Sequence, residues 1–313
     1  MKTLRQAVND YFELRHGLGF KLECQEIWVR QFVKFLMGKK TTRITSNLAL
    51  QFATQEPGLT PKTYACRLSA VRGFARYRWA DDPTTEIAPA GLLPFAPGRA
   101  RPYLYSQAEI RRILDAARNH PSPRRFQART YYCVLGLLVV SGMRIGEVLN
   151  LTPADVDWAD GVLTIRNAKY GKSRLIPLHR STIKVLKSYV KHRDRYFAQR
   201  PHLTARYLFP TSRGTHLSVS QINRVFVLLS QRLGLRAPGA SRGPRLHDYR
   251  HRFAVETLLR WYRRGASVEQ CLPVLSTYLG HTHVTGTYWY LSCTPALMAA
   301  AGHRLEQRWK GVQ

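Results

Sequence analysis

At 313 residues with 44% hydrophobic side chains, the chain can build packed cores, most naturally in two domains, and is too apolar to be a disordered polymer. Its 49 Lys and Arg against 19 Asp and Glu leave +30, a self-repelling charge that calls for a polyanion. Nucleic acid is the leading partner, with generic solubility or an acidic membrane surface as the alternative.

In chain order, the first ninety residues read as helices joined by short turns. "LECQEIWVRQFVKFLMGKK" puts Ile27, Phe32, Phe35 and Leu36 on one helical face. "TPKTYACRLSAVRGFARYRWA" opens with Thr60 as N-cap and Pro61 at the first helical position. Its apolar Tyr64, Leu68, Val71 and Ala75 recur three to four apart, while Arg67, Arg72, Arg76 and Arg78 are spread around the rest of the helix. Those arginines read as DNA-gripping contacts or as a solvated basic face. "APAGLLPFAPGRARPY" (88–103), rich in proline and glycine, is a linker with the boundary near residue 100. The expected organisation is a helical domain over 1–97, a linker over 98–104 and a larger domain over 105–313. Charge follows that division: residues 1–100 hold 15 basic and 8 acidic residues (+7), residues 101–313 hold 34 and 11 (+23).

The second region starts with "SQAEIRRILDAARNH", where Ser106 and Glu109 form a capping-box pattern. The apolar run "YYCVLGLLVVSG" (131–142) is too short for a bilayer span and reads as a buried helix ended by Gly142. "GVLTIRNAKYGKSRLIPLH" is the one clear β signal, two short runs around a Lys/Gly turn. Helices resume at 181–197, 218–233, 246–264 and 267–280, and Thr294–Pro295 opens a last one. The fold class is therefore mainly α with a small β-hairpin or sheet, an α+β arrangement in the larger domain. The N-terminus has Asp10 and Glu13 where a secretion signal needs an apolar core. Five cysteines without a CxxC pair read as reduced, mostly buried thiols. Together these predict a cytoplasmic, nucleoid-associated protein with no membrane partner.

Three patches carry chemistry. In "SGMRIGEVLNL", Arg144 starts a new helix, where a guanidinium and helix N-terminal amides together suit a phosphate. Glu147 would orient it, or the two form an ordinary surface pair. In "RLHDYRHRFAVETLL", His247 and Arg250 share one helical face, a proton carrier beside a fixed charge. His247 and His251 have the spacing of a metal pair, but Arg250 and Arg252 would repel a cation and no Glu stands between the histidines. In "LGHTHVTGTYWYLSC", His281 is followed by Tyr288 and Tyr290. Two residues apart, these phenols cannot share a helical face, so one turns to the site and the other packs. A phenol that ionises only near pH ~10 needs its surroundings to make it a reagent.

The order Arg, hairpin lysine, His-x-x-Arg, Gly-His, Tyr resembles the tyrosine recombinases, the family of phage integrases, Xer recombinases and Cre. The resemblance covers most of 104–293. It implies an N-terminal all-α core-binding domain that grips DNA and a C-terminal catalytic domain whose tail, from about 294, docks on a neighbour. It implies catalytic roles for Arg144, His247, Arg250 and His281. The family's nucleophile follows that histidine by about nine residues, which makes it Tyr290 and leaves Tyr288 as packing or a backup contact. Anchoring on "RLIPL" (174–178) makes Lys169 the catalytic lysine ahead of Lys172, although Ala168 and Tyr170 replace the family's flanking glycines. Lys172, Arg174, Arg72 and Arg76 are assigned to DNA contact. Arg250 and His281 stand 31 residues apart, about two helical turns more than in compact members.

The implied activity is site-specific recombination through a 3′-phosphotyrosyl intermediate, for a mobile element, by a tetramer on two paired double-stranded sites. No cofactor, metal or ATP is expected. The rival readings are a type IB topoisomerase-like enzyme, a catalytically silent DNA-binding protein and a metal-dependent nuclease. A topoisomerase usually has lysine where His247 stands, and no carboxylate cluster for a nuclease is visible.

Overall fold

The computed structural model describes residues 2–95, 101–121, 125–166, 173–240, 242–292 and 294–310. Lys169 and Lys172 lie outside the described residues. The chain divides into two compact units, 1–100 and 101–313.

The first unit is built from α1 (Leu4–Gly17), α2 (Glu23–Gly38), α3 (Ser46–Thr54) and α4 (Pro61–Trp79). Each helix sends one phenylalanine into a shared core: Phe12, Phe32, Phe52 and Phe74 are all fully buried. Thr60 caps α4 by accepting from the Thr63 amide, and Pro61 sits in the first turn, where its missing N–H is not needed. Phe32 and Leu36 face inward as their spacing predicts, but Ile27 is exposed and Val29 and Val33 take the buried positions. Two of the α4 arginines are also not where a solvated face would put them. Arg67 is buried over the Phe52 ring with Glu56 as its partner, and Arg78 is buried against Asp82. Their long apolar stems pack while their heads are neutralised.

The second unit is threaded by α6 (Arg125–Ser141), whose Val134, Leu135, Leu137 and Leu138 are buried in its main core. Around it pack α5 (Gln107–Arg118), opened by the Ser106–Glu109 capping box, α8 (Arg180–Ala198) and α10 (His247–Arg263), with α9 (Val219–Arg232) against α5. A short α7 (Ile145–Leu149) follows α6. The sheet is antiparallel, β1 (Val156–Asp157), β2 (Val162–Ile165) and β3 (Arg174–Pro177) in that order. The hairpin is β2–β3, with Ile165 opposite Arg174; β1, only two residues long, leaves no periodic trace in the sequence.

The last elements are α11 (Val268–Leu279), α12 (Thr285–Tyr288), a 3-10 turn over Trp289–Ser292 and α13 (Pro295–Lys310). The long Arg250–His281 interval is accounted for by α10, a turn at Gly265 and α11. Together α10, α11, the 3-10 turn and the buried Leu297 of α13 enclose a second, smaller core that includes Tyr290. No helix among the described residues is long and apolar enough to cross a membrane.

Candidate active site

Two helix ends and a hairpin build the site. Gly142 terminates α6 with φ 60°, a conformation that costs glycine little, and a Cβ there would meet the Phe253 ring at 2.6 Å. The turn delivers Arg144 as the N-cap of α7. Gly280 ends α11 in the left-handed region at φ 68°. A Cβ on it would lie 2.8 Å from Arg174 Nη1 and 3.3 Å from Arg144 Nη1, so the arginines can close in only on a bare α carbon.

The end of a helix exposes carbonyls with no intrahelical donor, at the negative end of the dipole. Here three consecutive carbonyls are each taken by a different arginine. Arg174 Nε donates to Tyr278 O at 2.7 Å, Arg250 Nη2 to Leu279 O at 2.5 Å, and Arg144 Nη2 to Gly280 O at 2.9 Å. Arg250 is also fastened to the end of α6, Nη1 donating to Gly142 O at 3.0 Å. Its side chain is 2% exposed, and burial, then the Arg144 charge, brings its guanidinium down to about 10, still cationic at neutral pH.

Glu147 settles between the alternatives left open for Arg144. It is no surface residue: its carboxylate, 8% exposed, accepts from Arg144 Nη1 at 2.9 Å and from the Arg144 amide at 2.9 Å. Arg174 forks onto the same carboxylate at 3.0 and 2.7 Å. Burial alone would raise this carboxyl, but the bonds from Arg174 and Arg144 outweigh it and hold it below the usual carboxylate range. Arg174, expected at DNA, is instead buried and bound to Glu147 and Tyr278 O, a brace between hairpin, α7 and α11. Nothing local in the sequence marks this role, because its carboxylate partner is 27 residues away.

His247 lies on the first turn of α10 with an exposed face. Partial desolvation, then the neighbouring Arg250 charge, holds its imidazole below the ordinary histidine range. Its ring meets His251 edge-on at 4.7 Å, and His251 in turn lies 5.5 Å from the Tyr290 ring. His251 is a site neighbour whose spacing in the sequence suggested only a metal pair. Among the described residues no group of three or more His, Cys, Asp or Glu is placed to hold a metal ion.

His281 Nδ1 is 2.7 Å from Thr287 Oγ1, which orients the ring, and the ring stacks on Tyr290 at 6.2 Å and 16°. Tyr290 is 3% exposed, within electrostatic reach of Arg250, where its anion would favour the charged guanidinium. Tyr288, by contrast, is 52% exposed. Arg144, His247, Arg250, His281 and Tyr290 are thus brought together. In the first unit, Arg72 donates to Ala88 O and Pro89 O at 2.8 and 2.9 Å, which ties α4 to the chain leaving that unit. Arg76 remains exposed.

This arrangement puts a phenol among fixed cations and two imidazoles, and comparison with known proteins places it. The phage integrase family model matches residues 104–296. The chain belongs to the phage integrase family.

The chain is 50% identical, over 99% of both chains, to a Sinorhizobium fredii (strain NBRC 101917 / NGR234) protein, y4rB, named for an inferred integrase/recombinase activity. It is 32% identical to tyrosine recombinase XerD of Caulobacter vibrioides (strain ATCC 19089 / CIP 103742 / CB 15), over 74% of this chain and 71% of that one. The fold of the chain is that of the Tn1549 transposon integrase, solved in complex with transposon right-end DNA. The TM-score is 0.64 at 16% identity, covering 98% of this chain and 99% of that one. The chain is a tyrosine recombinase, a site-specific enzyme that breaks and rejoins DNA.

Proposed function

We propose that Tyr290 is the nucleophile and that the strand break is stored as a 3′-phosphotyrosyl bond. The Tyr290 oxygen attacks the scissile phosphorus, a P–O bond to tyrosine forms, and the P–O5′ bond breaks. Negative charge builds on the non-bridging oxygens, where Arg144 and Arg250 stand as preorganised cations with His281 beside them as a hydrogen-bond donor. His247, held neutral by its surroundings, takes the phenol proton, and Lys169 supplies one to the departing 5′ oxygen. A second DNA 5′ hydroxyl reverses the step, so no external energy source enters the balance.

The observation that carries this reading is the contrast between the phenols: Tyr290 is enclosed by His281, His251 and the reach of Arg250, while Tyr288 is turned to solvent. The partner is double-stranded DNA, with the first unit as the core-binding domain and the second as the catalytic domain. The working assembly is a tetramer on two paired sites, and the recombinase serves a mobile element. A nicked suicide duplex that cannot religate tests the chemistry. Tyr290→Phe is expected to bind it and form no covalent adduct, while Tyr288→Phe still forms one, with or without EDTA. An adduct on Tyr290→Phe, or its loss with chelator, would sink the scheme.

A further inference from the structure

The opposite end of α6 from the Tyr290 cluster borders a separate cleft of about 950 Å³, between the end of α5, the first turns of α6 and the middle of α8. Arg118, Arg125, Arg129 and Lys184 line it, with His120 and His192, and none of its lining residues is Asp or Glu. None of the four cations forms an ion pair with a described carboxylate. Asp194, the carboxylate of α8, is already held by Arg193 at 2.6 Å. Eight residues along α6 take the chain from Cys133, the last lining residue of that helix, to Ser141 at the catalytic turn, ~12 Å at the rise of an α-helix.

Four unneutralised cations around one concavity repel each other, and the fold tolerates them at the expense of local stability. Both imidazoles are lowered, chiefly by burial, and of the lining cations only Arg129 contributes, at His192. Burial, then Arg232, lowers His120; burial, then Arg129, Arg195 and Lys191, lowers His192. His120 Nδ1 is buried and has no hydrogen-bond partner among the described residues. The floor is uncharged, with the Cys133 thiol pushed up to about 12 by burial and the Tyr189 hydroxyl within 3.2 Å of Thr130 Oγ1. A concave ring of forked and point cations on a neutral floor is complementary to a multiply charged anion bearing several acceptor oxygens.

We propose that this cleft is a second phosphate-binding site, separate from the Tyr290 cluster, that takes phosphoryl groups. The groups belong either to a free phosphoryl compound or to the backbone of duplex DNA, and both present the same oxygens. The site stands independently of whether Tyr290 is the nucleophile.

Carbon-edited NMR of the imidazole Cε1–H signals, on the full chain in 0.15 M NaCl, separates the outcomes. Inorganic pyrophosphate is expected to shift His120 and His192 saturably. In an Arg129→Gln/Lys184→Gln double variant that binding weakens about tenfold or more, as expected for lost charge-assisted bonds, while shifts at His247 and His281 persist. An unchanged thermal midpoint checks that the variant is folded; the single variants serve if the double variant is not. A short random-sequence duplex forms the other arm. Shifts of His120 and His192 that compete with pyrophosphate assign the site to DNA backbone, and shifts with pyrophosphate alone assign it to a free compound. If neither probe moves these two signals saturably, or the cleft variants bind both probes as the parent does, the site does not exist.

Discussion

At the scale of single residues, the site depends on what is absent at Gly280 and on what is doubled at Glu147. Gly280→Ala adds a Cβ where φ is 68° and Arg174 Nη1 is 2.8 Å away. Backbone strain of about 1–3 kcal/mol is expected, with displacement of both arginines and a sharp fall in covalent adduct; urea unfolding and the suicide-duplex assay read the two effects. Arg174→Ala leaves the buried Glu147 with half its neutralising charge, a loss of roughly 3–5 kcal/mol. Arg174→Lys should recover little, since an ammonium cannot fork onto a carboxylate and reach Tyr278 O as well. His247 carries a pH prediction. Its native proton affinity is depressed relative to the unfolded chain, whose histidine value is ~6.5. The unfolded state therefore binds more protons on the acid side. The stability carried by neutral His247 is complete above ~6.5 and is lost as pH falls through the lower native value. An NMR titration of His247 in the folded protein should show a midpoint below 6.5; a midpoint above it would contradict the cationic setting.

Among the elements, α13 shares a core with the candidate nucleophile. Leu297 is fully buried in the cluster that includes Tyr290, and α13 packs on α10 and the 3-10 turn of its own chain. Leu297→Ala is expected to cost about 2–5 kcal/mol in urea unfolding. It should also lower adduct yield, because the 3-10 turn that carries Tyr290 loses its support. Much of this architecture is legible beforehand. Thr60–Pro61, the Ser106–Glu109 box and the turn glycines 142 and 280 act within a few residues of themselves, so a local reading finds them. Arg144, His247, Arg250, His281 and Tyr290 were placed through the order of their motifs. The bracing contacts of Arg174 were not legible, because they exist only once hairpin, α7 and α11 meet in space. Periodicity likewise predicts Ile27 inside and cannot say that Arg67 and Arg78 find carboxylates that let them be buried.

For the molecule as a whole, the governing quantity is +30, of which +23 lies in residues 101–313. Each phosphate neutralised releases counterions, so the logarithm of DNA affinity should fall linearly with the logarithm of salt, by about 0.9 per contact. Fluorescence anisotropy across a salt series measures the slope, and a flat line would remove the basis for phosphate-dominated binding. Yet the cations are not interchangeable. The arginines that end on Tyr278, Leu279 and Gly280 come from a strand, a helix interior and a helix start, and meet at one short bend of chain. For a lineage diversifying under selection, that bend is a knot of epistasis. Exposed arginines can change one at a time, but a lone exchange at Glu147, Arg174 or Gly280 strands a buried charge or forces a clash, so these three positions are coupled.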